Sequence, residues 1–242
     1  MNRLERQLER ALETLGLKVN KEQRSKLLQY IGLLLAGLQR QRLVGEKDGA
    51  AFIEKQLVDV LYPFKLMGAP PPGRRRLLDL GTGAGLPGIP LKICFPELEL
   101  TLLDANRRKI NFNRRVAAEL GLPGVHFLPG RAEKWGRHPD YREQFDCAVS
   151  RAVARAAVLA ELALPLVQVG GVLVMYKGKQ GLQEIEEAGT AIRLCGGRLE
   201  RSWCYQLPTG EKRTLFRIVK DEQTPPGYPR RSGKPAQRPL GG

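Results

Sequence analysis

Leu77-Leu78-Asp79-Leu80-Gly81-Thr82-Gly83-Ala84-Gly85-Leu86-Pro87-Gly88 is the stretch that decides the fold. Its apolar opening reads as a buried strand, its glycines as a tight turn, and the residues after Pro87 as the first turn of a helix. Glycines let the chain take left-handed conformations and bring the backbone close to a ligand where a Cβ would collide. A second apolar run, Leu98–Asp104, ends on a carboxylate about 20 residues beyond the turn, where an acid accepts hydrogen bonds from ribose hydroxyls. Strand, glycine turn, helix, strand and acid in this order predict a nucleoside-binding unit of a Rossmann-like α/β fold.

Outward from this unit the same rhythm continues. Short apolar runs at Arg76–Leu80, Leu98–Asp104, Val125–Leu128, Phe145–Ser150 and Val172–Lys177 alternate with helical patterns at Arg107–Leu120 and Val153–Val167, as βαβ units and a parallel sheet require. One more helix to about Cys195 and a closing antiparallel hairpin near Arg201–Leu207 and Arg213–Val219 bring the expected sheet to seven strands, mostly parallel. Upstream, Leu4, Leu8, Ala11, Leu12 and Leu15, then Leu27, Leu28, Ile31, Leu34, Leu35 and Leu38, recur at helical spacing. Asn20 with Gln23 offers a capping box for the second helix, Gly16 a terminus for the first, and a third helix is expected from about Ala50 to Leu66. Gly68, Ala69 and Pro70-Pro71-Pro72 end this part, which gives an N-terminal helical cap over 1–70, an α/β core over 71–221 and a basic tail over 222–242. The tail is rich in Pro, Gly and Arg and nearly free of apolar residues, so it is expected to be extended or disordered when free.

The net charge of +15 points to a polyanionic partner, because clustered Lys and Arg gain counterion-release energy on nucleic acid. No apolar run approaches the roughly 20 residues that span a bilayer, and Met1–Glu13 lacks the apolar core of a signal peptide. A cytoplasmic protein with no membrane partner is expected. Cys94, Cys147, Cys195 and Cys204 form no C-x-x-C pair, so neither a metal site nor a disulfide framework is expected.

Gly83-x-Gly85-x-x-Gly88 also matches the dinucleotide fingerprint, and two residues decide against it. Pro87 has no N–H to offer a pyrophosphate at the start of the helix. Asp79 sets a carboxylate beside the turn, which repels a pyrophosphate and suits the cationic sulfonium and amino group of S-adenosylmethionine. The cofactor set read from the residues is therefore Asp79, Gly81, Gly83, Gly85 and Asp104.

At this density the residues resemble one family, the bacterial small-subunit (16S) ribosomal RNA guanine-N7 methyltransferases. Leu78 to Ile93 resembles the family's glycine-rich segment with its Pro-Gly extension. Thr101-Leu102-Leu103-Asp104, Gly130-Arg131-Ala132-Glu133, Ser150-Arg151-Ala152-Val153-Ala154, Lys177-Gly178 and Tyr228 to Pro235 resemble its later blocks in order. The resemblance implies a class I methyltransferase fold in which Gly81 and Leu86 contact the cofactor, Asp104, Ala105 and Asn106 hold its ribose and adenine side, Ala132 and Glu133 flank the adenine, and Arg151 closes the methionine end. It implies 16S ribosomal RNA in the small subunit as partner, and a monomer is expected. Arg42-Leu43-Val44 and Gln56 depart from the family pattern, which shows Asn-Leu-Thr and His at these places, so the cap's hold on RNA is less defined than cofactor binding.

Guanine N7 carries an in-plane lone pair and no proton, so no general base is needed. Catalysis reduces to alignment and charge stabilisation. The chain accordingly offers only His126 and His138 and no Asn-Pro-Pro-Tyr or Asp-Pro-Pro-Tyr motif. Arg151 is expected to orient the cofactor or grip guanine O6 or a phosphate, and not N7, whose lone pair it would block. Lys177 is expected to meet a phosphate, as are Arg230, Arg231 and Lys234 in a phosphate-tracking arm. The competing readings are a non-catalytic ribosome-assembly protein on a methyltransferase fold and a methyltransferase of another substrate. Retention of Asp79, Gly81, Gly83, Gly85 and Asp104 speaks against the first.

Overall fold

The structure, a computed structural model, describes residues 2–41, 48–67 and 76–241. The Arg42-Leu43-Val44 departure, Gly68 to Pro72 with the expected cap boundary, and the side chain of Leu38 lie outside the described residues. The elements run α1 (Arg3–Leu15), α2 (Lys21–Gln41), α3 (Gly49–Phe52), a π turn (Ile53–Leu57), α4 (Val58–Met67), β1 (Arg76–Leu80), α5 (Gly88–Cys94), β2 (Glu99–Asp104) and α6 (Arg107–Glu119). They continue with β3 (Val125–Pro129), α7 (Ala132–Trp135), β4 (Phe145–Arg151), α8 (Ala156–Ala163), a 3-10 turn (Leu164–Leu166), β5 (Val167–Lys177), α9 (Gly181–Glu187), α10 (Gly189–Leu194), β6 (Gly197–Gln206), β7 (Lys212–Lys220) and α11 (Lys234–Gln237).

The sheet has seven strands in the order β3-β2-β1-β4-β5-β7-β6. Strands β1 to β5 are parallel, and β7 enters antiparallel to β5 with β6 beside it as the expected hairpin. Strand order reverses between β1 and β4, which opens a crevice outside their carboxyl ends. Leu80, Asp104, Arg151 and Lys177, the last residues of β1, β2, β4 and β5, all reach that edge.

Two cores sandwich the sheet. On one face α1, α2, α4, α5 and α6 bury Leu8, Leu27, Ile31, Leu34, Leu61, Ile89 and Val116 against Leu77, Leu100 and Leu102. On the other, α8 and α10 bury Leu159, Ala160 and Ile192 against Leu78, Leu103, Leu173 and Phe216. Alternating strand residues supply the two faces, as a sheet covered on both sides demands. The cap is thus a layer of one core. The capping box is present, with Gln23 N–H donating to Asn20 Oδ1 at 2.8 Å and Asn20 N–H to Gln23 Oε1 at 2.7 Å. Gln23 Nε2 also donates to the carbonyls of Ile93 and Cys94, which ties the cap to the end of α5.

Three expectations are corrected. The third helix is interrupted by the π turn at Ile53–Leu57, where Gln56 lies half-buried. The helix expected from Val153 starts at Ala156, because Ala152 takes φ +56° and turns the chain back over the glycine loop.

The third correction is the tail, which folds onto the second core instead of extending. Pro229 and Pro235 are buried, and Tyr228 and Leu240 pack against that core. Arg142 Nη1 donates to Tyr228 O at 2.8 Å, and Arg137 Nε donates to Pro229 O at 2.6 Å. Arg230 is fastened to the fully buried Glu161 through Nε and Nη2 at 2.8 and 2.6 Å. A segment with few apolar residues is held here by those few together with charge-assisted hydrogen bonds, which composition cannot show.

Candidate active site

The glycine turn is built by Asp79, whose side chain is fully buried. Its Oδ2 accepts from Thr82 Oγ1 at 2.6 Å and from Gly88 N–H at 2.9 Å. The first free N–H of α5 is therefore already taken, the physical counterpart of the argument against a pyrophosphate. Asp79 Oδ1 is buried and has no hydrogen-bond partner. Desolvation pushes this carboxyl up to about 7, against the hydrogen bonds from Thr82 and Gly88.

The glycines divide by what surrounds them. Gly81, at φ +74°, lies under Val153, whose Cγ2 would sit 2.2 Å from an added Cβ, so the residues after β4 form the roof of the turn. Gly85, at φ +95°, is fitted against Ile89 and Asn113, a packing reason for glycine. Gly83, at φ +58°, is uncrowded, a Cβ there meeting only Gly81 O at 3.9 Å. Asn113 Nδ2 donates to Gly83 O at 3.1 Å, and Tyr30 Oη donates from the cap to Ala84 O at 3.0 Å, so helices from two layers brace the loop. Leu86 is buried behind it.

Asp104 stands across from Gly83. Its Oδ2 accepts from Gly83 N–H at 3.0 Å and its Oδ1 from Asn106 N–H at 2.8 Å, leaving each oxygen further acceptor capacity. Ala105 and Asn106 are exposed on the rim, and Asn106 caps α6 by accepting from Arg108 N–H at 2.9 Å. Ala132 and Glu133 are buried at the start of α7, where Glu133 Oε1 accepts from Gly233 N–H of the tail at 2.8 Å. Asp79 Oδ1 is a buried, unpaired carboxylate oxygen, Gly83 presents an uncrowded backbone edge, and Asp104 is an anchored carboxylate with acceptor capacity to spare. Replacing Asp104 by Ala is expected to weaken cofactor binding by about 2–3 kcal/mol, since ionised acceptors are lost from the ribose and from the Gly83 amide. Titration calorimetry checks this, and unchanged affinity removes Asp104 from the site.

Beyond the roof lies a cavity of about 480 Å³ lined by Asp59, Arg151, Val153, Tyr176, Lys177 and Arg213 among others. Its hub is Asp59 of α4, whose side chain is 3% exposed. Asp59 accepts from Tyr205 Oη at 2.7 Å and from Arg151 Nη1 at 3.2 Å, with Arg213 Nε 3.6 Å away. Arg151 lines this cavity, held there by a carboxylate of the cap. Lys177 is corrected. Its Nζ donates to Ala154 O and, at 2.8 Å, to Glu184 Oε2, so its charge is neutralised inside the protein and is not offered to a phosphate. Arg230, committed to Glu161, leaves the phosphate set for the same reason, whereas Arg231 and Lys234 are exposed. His126 is exposed beside Glu99 and His138 half-buried beside Asp140, and neither lines this pocket.

Sequence reasoning passed over Asp59, Tyr30, Asn113 and Arg213. Asp59 had a visible signal, an acid inside Leu57-Val58-Asp59-Val60-Leu61, because a buried carboxylate must be paired. The others act through contacts distant in sequence.

Comparison with known proteins gives the family and the fold. The family model for rRNA small subunit methyltransferase G matches residues 23–211. Ribosomal RNA small subunit methyltransferase G of Moorella thermoacetica is 43% identical over 226 residues, 93% of each chain. That of Lachnoclostridium phytofermentans is 42% identical over 230 residues, 95% of this chain and 94% of its own. Among solved structures, a 16S rRNA (adenine(1408)-N(1))-methyltransferase from Catenulisporales acidiphilia superposes with a TM-score of 0.51 at 16% identity, over 61% of this chain and 86% of that one, which shows a shared fold. The chain belongs to the rRNA small subunit methyltransferase G family and is an S-adenosylmethionine-dependent methyltransferase of ribosomal RNA.

Proposed function

We propose that this chain methylates N7 of a guanine in small-subunit (16S) ribosomal RNA, acting in the cytoplasm as a monomer and without a metal ion. Bound S-adenosylmethionine supplies an electrophilic methyl group on a cationic sulfur. The residues proposed to hold it are Asp79 at the amino group, Gly81, Gly83, Gly85 and Leu86 along the turn, Asp104, Ala105 and Asn106 at the ribose, and Ala132 with Glu133 at the adenine.

One observation carries the choice of N7. The pocket beside the turn contains two carboxylates, Asp59 and Glu184, and both are already engaged: Asp59 by Tyr205 and Arg151, Glu184 by Lys177 and the Ala156 N–H. Neither is placed to take a proton, and a purine N7 has none to give. Arg151 and Arg213 supply cationic edges suited to O6 or a phosphate of the target nucleotide. A-form RNA hides N7 in its deep groove, so the target guanine belongs to a loop or distorted junction. Small subunits from a strain lacking the enzyme, incubated with labelled cofactor and mapped by nucleotide, test this. Label at an exocyclic nitrogen overturns it.

The Asp59 contact also sets the expected behaviour of Arg151. Arg151→Ala should cut the methyl-transfer rate about 100-fold through lost charge stabilisation, and it should cost roughly 1–3 kcal/mol of folding stability by leaving buried Asp59 short of a donor. Arg151→Lys should recover stability and not rate, because an ammonium lacks the planar fork. A lysine variant with the parental rate would remove the guanidinium from catalysis.

A further inference from the structure

The pocket beside the turn holds one positive charge more than its acids can pair. Lys177 is matched by Glu184 and Arg155 by Glu187. Asp59, by contrast, faces two guanidiniums, Arg151 and Arg213. The β6–β7 hairpin sets how it divides between them. Tyr205 and Arg213 stand directly opposite each other on the two strands, so their side chains share a face and both come to Asp59. Tyr62, one turn after Asp59 on α4, stacks on the Tyr205 ring with centroids 4.1 Å apart and planes 13° apart, which fixes where the hydroxyl points. Burial, with the Asp59 charge beside it, holds that hydroxyl well above its ordinary range, so it stays a donor.

Tyr205 Oη donates to Asp59 Oδ1 at 2.7 Å, and both arginines approach Oδ2. Arg151 Nη1 makes the hydrogen bond, at 3.2 Å. Arg213 Nε stops at 3.6 Å, and among the described residues its one hydrogen bond runs from Nη1 to the carbonyl of its neighbour Lys212, at 3.3 Å. Glu211, two residues back, is engaged by Thr209 and Lys55. Arg213 therefore carries the surplus charge, with Nε and Nη2 unbonded and its side chain 27% exposed. Its place is equally specific. Thr214 pairs with Lys177, the last residue of β5, so Arg213 lies one step beyond that strand's end, on the edge where Arg151 also stands. The anion that every nucleotide of an RNA substrate brings is its phosphodiester, and the open Nε–Nη2 edge of a guanidinium matches two of its oxygens.

We infer that Arg213 holds the phosphate of the target nucleotide, and that Tyr205 is the positioning residue that leaves it free to do so. This rests on the reading of the pocket as the place of the target nucleotide and divides the work of its two arginines, Arg151 serving the reacting groups and Arg213 the backbone. With Oδ1 held by Tyr205, Asp59 forms a forked pair with neither of them. Without the hydroxyl, Oδ1 is open to Arg213 and draws its charge inward.

The test measures KM and kcat on small subunits from a strain lacking the enzyme, over a range of salt. The variants are Arg213→Gln, Arg213→Lys, Tyr205→Phe and the Arg213→Gln/Tyr205→Phe pair. Arg213→Gln should raise KM at least about tenfold, the worth of one charge-assisted hydrogen bond, with a smaller effect on kcat. It should also flatten the slope of log affinity against log salt by about 0.7 unit, as loss of one phosphate contact requires. Arg213→Lys should restore the slope, since an ammonium still meets a phosphate as a point charge. Tyr205→Phe should raise KM as well, and its effect should vanish in the Arg213→Gln background, because it acts through that guanidinium. Parental KM and slope in Arg213→Gln overturn the phosphate contact. A loss of cofactor affinity in that variant, by calorimetry, overturns it too, in favour of the cofactor's carboxylate as the anion. Additive effects in the pair overturn the role of Tyr205. The position of the label judges the choice of N7 and these variants judge the phosphate contact, which keeps the two readings separate.

Discussion

Arg230→Ala is expected to lower the unfolding free energy by about 3–5 kcal/mol, because it leaves the carboxylate of Glu161 buried without its counter-charge. Glu161 is 0% exposed on α8, and Arg230 meets it with two guanidinium nitrogens and its own backbone N–H at 2.8 Å. Neighbouring links belong to the same clamp. Thr224 N–H donates to Glu143 Oε1 at 2.6 Å, and Lys220, fully buried, pairs with Glu143 at 3.2 Å. Arg231, exposed and one residue on, is the internal control, and its alanine variant should change stability by less than about 0.5 kcal/mol. Chemical denaturation followed by circular dichroism measures both. Equal midpoints for the two variants would mean that the tail is not anchored. The clamp also alters what truncation does. Removing 225–242 takes Gly233 N–H from Glu133 as well as Arg230 from Glu161, so a shortened chain is expected to lose cofactor affinity along with stability.

Asp79→Asn is expected to stabilise the cofactor-free protein at pH 8 while weakening cofactor binding by about 2–3 kcal/mol, the worth of a charge-assisted hydrogen bond to a buried carboxylate. Burial holds the Asp79 carboxyl at about 7, against 3.8 for an ordinary aspartate. The folded, empty protein thus favours the protonated form. The contribution of Asp79 to stability is fully present below about pH 4 and is lost as pH rises through 7. At 1.36 kcal/mol per pH unit the loss has an upper bound of about 4 kcal/mol. Asparagine cannot ionise, so the variant's stability curve should be flatter between pH 5 and 8 by about 2–3 kcal/mol, the part of that bound that falls in this window. The cost in the parent is the origin of its binding energy: the ionised, half-satisfied carboxylate regains a partner when a cationic amino group arrives. Parental cofactor affinity should accordingly rise from pH 5.5 to 7.5, and that of the variant should not. An asparagine variant with parental affinity, or a parent whose stability is independent of pH in this window, removes Asp79 from the amino-group site.

The strands and the glycine turn were legible in the chain because their causes are local. Leu77 to Leu80 alternates between two buried faces, Gly81, Gly83 and Gly85 all take positive φ, and Asp104 closes its strand beside Gly83. Apolar periodicity and backbone freedom are properties of neighbouring residues, so a linear reading captures them. The capping box of Asn20 and Gln23 and the left-handed end of α1 at Gly16, φ +67°, were legible for the same reason.

What the linear reading did not show was which carboxylate each cation meets, and it misplaced Lys177 and Arg230. Arg151, Lys177 and Arg230 are all cationic residues near a strand end or in a basic tail, and nothing in their sequence neighbours distinguishes them. For two of them the partner lies far along the chain, Asp59 being 92 residues from Arg151 and Glu161 69 from Arg230, while Lys177 meets Glu184, seven residues on, only because the chain turns back after β5.

By itself the sequence determined a parallel sheet, a nucleoside turn with an acid on each side, and an overall positive charge. Only the tertiary structure decided which cations face a ligand and which are consumed inside, because a buried charge takes whatever partner the fold brings within reach, and that partner is set by packing across the sheet and not by position along the chain.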